Sequence, residues 1–195
     1  MSSTPFRLAA AAALALSAWS APVLAAGAQV TLVATPNPAT QGSTVDVDVL
    51  ISQVTDLYAY QFSISFNPTL LQVSGLAMGS FLSVGGATFS NTGTIDNTAG
   101  TVTFVYNSLV GALPGVSGSG TLLTLHLNAI GTGTSALGFV PDDTLFVDSN
   151  ITPIGLTTVD SSLQVAAAVP EPESYLMLAV GLAGLALWRR RQAAA

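Results

Sequence analysis

The chain has no cysteine and no lysine, and its four arginines are Arg7 and the run Arg189-Arg190-Arg191. Glutamate occurs only at Glu171 and Glu173, and the two tryptophans, Trp19 and Trp188, lie near the ends. Each absence excludes something. Without cysteine there are no disulfides and no thiolate metal sites. The central segment, residues 26–169, has no cation to neutralise phosphates, and its eight aspartates repel polyanions, so nucleic acid is excluded as a partner. The same lack predicts a surface without salt bridges, stabilised by burial and backbone hydrogen bonds. A tryptophan platform for sugars is excluded as well.

What is present at the N-terminus has three parts. Arg7 precedes the apolar run Leu8–Ala18, which is followed by small residues around Val23-Leu24-Ala25-Ala26-Gly27-Ala28. This is the layout of a secretory signal peptide, assigned to residues 1–25, with cleavage after Ala25 or, nearly as well, after Ala28. At the other end, Val169-Pro170-Glu171-Pro172-Glu173 leads into an apolar run, 174–188, and then into Arg189, Arg190 and Arg191. The run should be helical in lipid. At 1.5 Å per residue it reaches roughly 22 Å, short of a hydrocarbon core of roughly 30 Å, so spanning requires local thinning or snorkelling. The arginines would stay cytoplasmic, which places the preceding residues on the outer side of the inner membrane.

The order Pro170-Glu171-Pro172, short hydrophobic helix and arginine cluster resembles the bacterial PEP-CTERM sorting signal, here residues 170–195. The resemblance implies recognition and cleavage by an exosortase, a transient inner-membrane intermediate, and delivery to the cell surface or extracellular matrix. A permanent C-terminal anchor is the alternative.

Between the targeting segments the hydrophobic period is two. Val45, Val47, Val49 and Ile51 alternate with polar residues, as do Tyr60, Phe62, Ile64 and Phe66, and then Val102, Phe104 and Tyr106. Such alternation predicts half-buried strands. Breaks at Asn37-Pro38, Asn67-Pro68, Gly85-Gly86, 97–100 and 115–120 separate them. No amphipathic helix is evident between Gln29 and Val165. The pattern predicts an all-β, antiparallel, jelly-roll-like sandwich of about eight or nine strands over residues 26–165, with 166–169 as the linker to the tail.

The segment Gln29–Val165 resembles a cohesin domain, in the wider group of sandwiches related to carbohydrate-binding modules. The residues that carry the resemblance are the strands 30–34 and 44–53, the run Tyr58-Ala59-Tyr60-Gln61-Phe62-Ser63-Ile64-Ser65-Phe66-Asn67-Pro68-Thr69-Leu70-Leu71, the Gly-initiated strand Gly100-Thr101-Val102-Thr103-Phe104, and Gly120–Leu127. Asn67 stands where the family has Asp, and either side chain can hold the turn by bonding nearby backbone. The resemblance implies a non-enzymatic interaction module with a dockerin-like protein or extracellular polysaccharide as partner. Its candidate binding face is the polar side of two strands, Gln61, Ser63 and Ser65 with Thr103 and Asn107.

Other chemistry is sparse. His126, the only histidine, shares a wet or partner-facing side with Thr124 and Asn128, opposite Leu123, Leu125 and Leu127. Asp46 and Asp48 share one face as two surface charges. Asp142, Asp143 and Asp148 could offer oxygens to calcium, but EF-hand spacing is missing and an acidic turn is the alternative; no cofactor is assigned. No triad signature accompanies Ser, His and Asp. A polysaccharide-active enzyme and a purely structural matrix component are the rival functions.

Overall fold

One strand of 22 residues organises the domain, because its sequence alternates twice with a break in phase between the two runs. The computed structural model describes residues 27–168 and 172–193. The signal peptide and, in the tail, Pro170 and Glu171 lie outside the described residues. Twelve strands are formed: β1 (Gln29–Thr35), β2 (Ala39–Thr40), β3 (Thr44–Ser65), β4 (Leu71–Met78), β5 (Thr88–Asn91), β6 (Thr94–Asp96), β7 (Thr101–Leu109), β8 (Val116–Ala129), β9 (Gly133–Phe139), β10 (Leu145–Asp148), β11 (Thr157–Val159) and β12 (Ser161–Ala166). A helix, α1, covers Pro172–Ala193. The all-β expectation holds. The strand count is higher than expected because β2, β5, β6, β10 and β11 are two to four residues long, too short to show a period. In the other direction, β3 joins what read as two strands.

The first half of β3 lies between β1 and β8, with β4 beyond β8 and β11 parallel to β1. Its second half lies between β7 and β10, with β5 and β6 beyond β7. The chain passes from one layer to the other at Gln53–Asp56, where register shifts occur and both end residues have positive φ, 54° and 58°. Ser119 and Ser117 hydroxyls accept the backbone N–H groups of Gln53 and Asp56 freed there. The Asp56 carboxylate accepts from the Gly115 N–H at 2.7 Å and from the Ser149 hydroxyl at 2.7 Å. These bonds hold its pKa below the ordinary carboxylate value, the Ser149 hydroxyl contributing most.

Between the layers the alternating residues meet. Val45, Val47, Val49, Ile51, Tyr60, Phe62, Ile64, Leu123, Leu125 and Leu127 are all buried. Tyr60, Phe62 and Phe146 stack with ring centroids 5.6–6.5 Å apart, and Phe139 meets Phe62 edge-on at 5.9 Å. The Tyr60 hydroxyl donates to the Leu122 carbonyl at 2.9 Å, and burial pushes its pKa up to about 12. The Asn67 turn forms as expected, its Oδ1 accepting from the Thr69 N–H and hydroxyl at 3.0 and 2.7 Å. Gly100 closes the start of β7 against that turn: its φ is 74°, and a Cβ there would stand 2.3 Å from the Phe66 carbonyl oxygen.

Two expectations are corrected by the strands themselves. Val102 is buried as expected, but Phe104 is 56% exposed and Val105 takes the next core position. A bulge between the pairs Phe62–Val105 and Ile64–Val102 inserts one residue into β7 and reverses its phase. The transmembrane expectation for residues 174–188 also fails: among the described residues, no helix is long and apolar enough to cross a membrane. The apolar stretch of α1 is closed by Glu173 on one side and by the arginines on the other, which leaves too few turns.

Candidate interaction face

The outer side of the β5–β7–β3–β10 layer is built in cross-strand rows, because directly opposed residues share a face. One row runs Asn91, Tyr106, Gln61, Leu145; the next runs Phe89, Ser108, Ala59, Val147. Phe89 is 64% and Leu145 50% exposed. The Phe89 and Tyr106 rings lie 5.8 Å apart. Beside Tyr106 a shallow depression of about 210 Å³ is lined by Ala59, Gln61, Tyr106, Ser108, Leu145 and Val147. Neither row contains a charged side chain. Acidic groups border it instead, Asp96 on β6 and Asp142 and Asp143 in the turn before β10.

Of the five residues expected on this face, Gln61, Ser65 and Thr103 are partly exposed. Ser63 and Asn107 are buried, at 0% and 2%, and present no surface. Ser63 opposes the bulge and its hydroxyl accepts the Phe104 N–H at 3.1 Å. Asn107, displaced inward by the change of phase, pairs across the strand with Tyr60. The exposed apolar residues of the face, Phe89, Phe104 and Leu145, and the partly exposed Tyr106 were not legible as surface residues. One signal was available: the apolar residues Phe104, Val105 and Tyr106 are consecutive, which breaks the alternation and marks a bulge.

The outer side of the β1–β3–β8–β4 layer is different. Here Asp46 opposes His126 and Asp48 opposes Thr124. The Asp46 carboxylate lies 2.7 Å from His126 Nδ1, and the Thr124 hydroxyl donates to Asp48 at 2.6 Å. A salt bridge is therefore available to this domain when His126 is protonated, which corrects the expectation of none. Both partners are about half exposed. Among the described residues, no serine or other nucleophile is hydrogen-bonded to the imidazole.

Three further aspartates serve the backbone. Asp96 accepts from the Thr98 and Ala99 N–H groups, the latter contributing most to a pKa below the ordinary value. Asp148 accepts from Asn150 and Thr152 at 2.8 Å, and Asp160 from Phe139 at 3.0 Å. Asp148 thus forms an acidic turn, and among the described residues no group of three or more His, Cys, Asp or Glu side chains converges as metal ligands.

A two-layer β-sandwich with one exposed apolar sheet face has the form of an interaction module. The chain belongs to the cohesin domain family, whose model matches residues 29–165. A second model, the PEP-CTERM protein-sorting motif, matches residues 168–191 and implies export through the membrane to the cell surface. Solved structures with a similar fold include the second type II cohesin module of the adaptor scaffoldin ScaA from Acetivibrio cellulolyticus, at 17% identity and TM-score 0.61, covering 76% of this chain and 96% of that one. A non-cellulosomal cohesin of the archaeon Archaeoglobus fulgidus is similar at 16% identity and TM-score 0.56, covering 78% and 98%. The cohesin of the Coh-OlpA–Doc918 cohesin–dockerin complex from Clostridium thermocellum is similar at 15% identity and TM-score 0.58, covering 72% and 99%. No curated protein matches the chain in sequence. Cohesin domains are non-catalytic interaction modules.

Proposed function

We propose that this protein is a cell-surface docking module that holds a dockerin-like partner protein on the outer face of β5–β7–β3–β10. The observation that carries the reading is the exposed, uncharged apolar face around Tyr106 and Leu145, in a family of protein–protein interaction modules. Apolar side chains interleaved with the neutral Gln61, Asn91 and Ser108 offer apolar contact area beside hydrogen-bonding groups and no charge, as the core of an interface does. On the opposite layer Asp46 and Asp48 of β3 are already bonded, Asp46 to His126 and Asp48 to Thr124.

The tail supplies the address. An exosortase cuts near Pro170–Pro172 after the signal peptide has been removed, and the exported form lacks both Trp19 and Trp188. Intact-mass analysis of the exported protein tests this, and retention of the full tail would overturn the cut. An extracellular polysaccharide is the rival ligand, supported by the exposed Phe89 ring and the partly exposed Tyr106 ring beside neutral hydrogen-bonding groups.

Binding is tested with the full chain against purified dockerin modules and against matrix polysaccharide, with and without chelator. Saturable binding to a dockerin that Leu145→Asp abolishes supports the docking reading. Chelator-insensitive binding to a neutral polysaccharide, with no dockerin held, replaces it by the rival.

A further inference from the structure

Phe104 is unfavourable in two respects at once. Its φ is 55°, in the left-handed region that a bulky residue rarely adopts, and its ring is 56% exposed. The bulge that imposes this is well fastened. Ser63 supplies the acceptor for the Phe104 N–H. Gly93, in the turn between β5 and β6, lies so close that a Cβ on it would stand 2.5 Å from the Thr103 carbonyl oxygen. The core does not need the ring, because Val102 and Val105 on either side are fully buried and fill it. Glycine at this position would relax the backbone and remove exposed apolar surface. Strain of this kind, held in place by its surroundings, is characteristic of functional sites.

Resting on the docking reading above, we propose that Phe104 is a specificity-determining anchor, set outward by the bulge to enter an apolar, uncharged pocket of a different protein. A second copy of this chain is a poor occupant. An isologous contact would bring Asp96, Asp142 and Asp143 against their own kind, and residues 26–169 contain no Lys or Arg to offset them. A partner with a neutral or basic rim meets no such repulsion.

The test uses the full chain as wild type, Phe104→Gly and Phe104→Leu, read by thermal melting and by binding to purified dockerin modules, beginning with the Doc918 module. Phe104→Gly should melt at the wild-type temperature or above it, yet bind at least about tenfold more weakly. Phe104→Leu should restore most of the affinity. Leu145→Asp is the control for the face and His126→Gln the control for the opposite layer. If Phe104→Gly melts several degrees lower, the ring is structural and the proposal is wrong. Unchanged affinity in Phe104→Gly, with binding lost in Leu145→Asp, overturns the anchor and leaves the docking face standing. If neither variant changes binding, the face itself is misassigned. A panel from which wild type holds no dockerin overturns both, and concentration-dependent self-association that Phe104→Gly removes identifies a second copy as the occupant.

Discussion

The two outer faces of this sandwich share β3 and yet have opposite chemistry. On the β1–β3–β8–β4 side, Asp46–His126 and Asp48–Thr124 close cross-strand bonds between polar side chains. On the β5–β7–β3–β10 side, the rings of Phe89 and Phe104 and the Leu145 side chain stand exposed without charge, with Tyr106 partly exposed among them. A face whose polar groups satisfy one another gains little from a partner. An exposed apolar face gains by being covered, roughly 25 cal/mol per Å² of apolar area removed from water. The Gln53–Asp56 corner separates them, so one strand serves both the acidic, cross-bonded face and the face proposed for docking.

Perturbing what both faces rest on has the largest effect. Phe62 is fully buried in the aromatic stack beneath the docking face, and Phe62→Ala should lower stability by about 3–5 kcal/mol in denaturant unfolding. A circular dichroism spectrum of the exported domain dominated by helix would contradict the fold on which this rests. Next comes the contrast itself. Leu145→Asp should weaken dockerin binding by more than about tenfold, at little change in melting temperature, whereas Asp46→Asn and Thr124→Val should leave affinity within about twofold. Equal losses from both sides would erase the distinction between the faces.

The corner between the faces responds to acid. Because the folded-state pKa of Asp56 is depressed, its contribution is fully present above the unfolded value of about 3.9 and is lost as pH falls through the lower folded value. Melting temperature should therefore fall below about pH 4, and Asp56→Asn should flatten part of that fall; an unaltered pH profile would show that the carboxylate does not hold the corner. Salt gives a finer separation. The acidic border steers a basic rim, so the association rate should drop between 0.1 and 1 M salt as the Debye length falls from about 10 Å to about 3 Å. The dissociation rate, set by the uncharged centre, should stay nearly constant. The smallest effect is expected on the polar face, where His126→Gln removes an exposed pair worth about 0–1 kcal/mol.

Reading from residues to structure succeeded where period alone decides. The alternation at 45–51 and 60–66 placed the correct side chains in the core, and Leu123, Leu125 and Leu127 likewise. The Asn67 turn followed from the hydrogen-bonding reach of its own side chain. The same reasoning failed in β7. A single inserted residue exchanged the faces of everything beyond Val102, burying Asn107 and exposing Phe104, and so the expected polar face was in part an internal one.

What the sequence determined by itself was local or compositional: the C-terminal sorting motif, the all-β class, the absence of cations from the domain, and the inward side of each uninterrupted strand. These depend on neighbours in the chain or on residue counts, and no distant contact can change them. Which surface faces a partner was decided only by tertiary structure. The phase of β7 depends on a bulge held by Ser63, 41 residues earlier, and the corner of β3 on Ser117, Ser119, Gly115 and Ser149, all far along the chain. Hydrogen bonds formed across such separations exist only once the layers have packed, and a shift of one residue in a period of two is enough to turn a strand over.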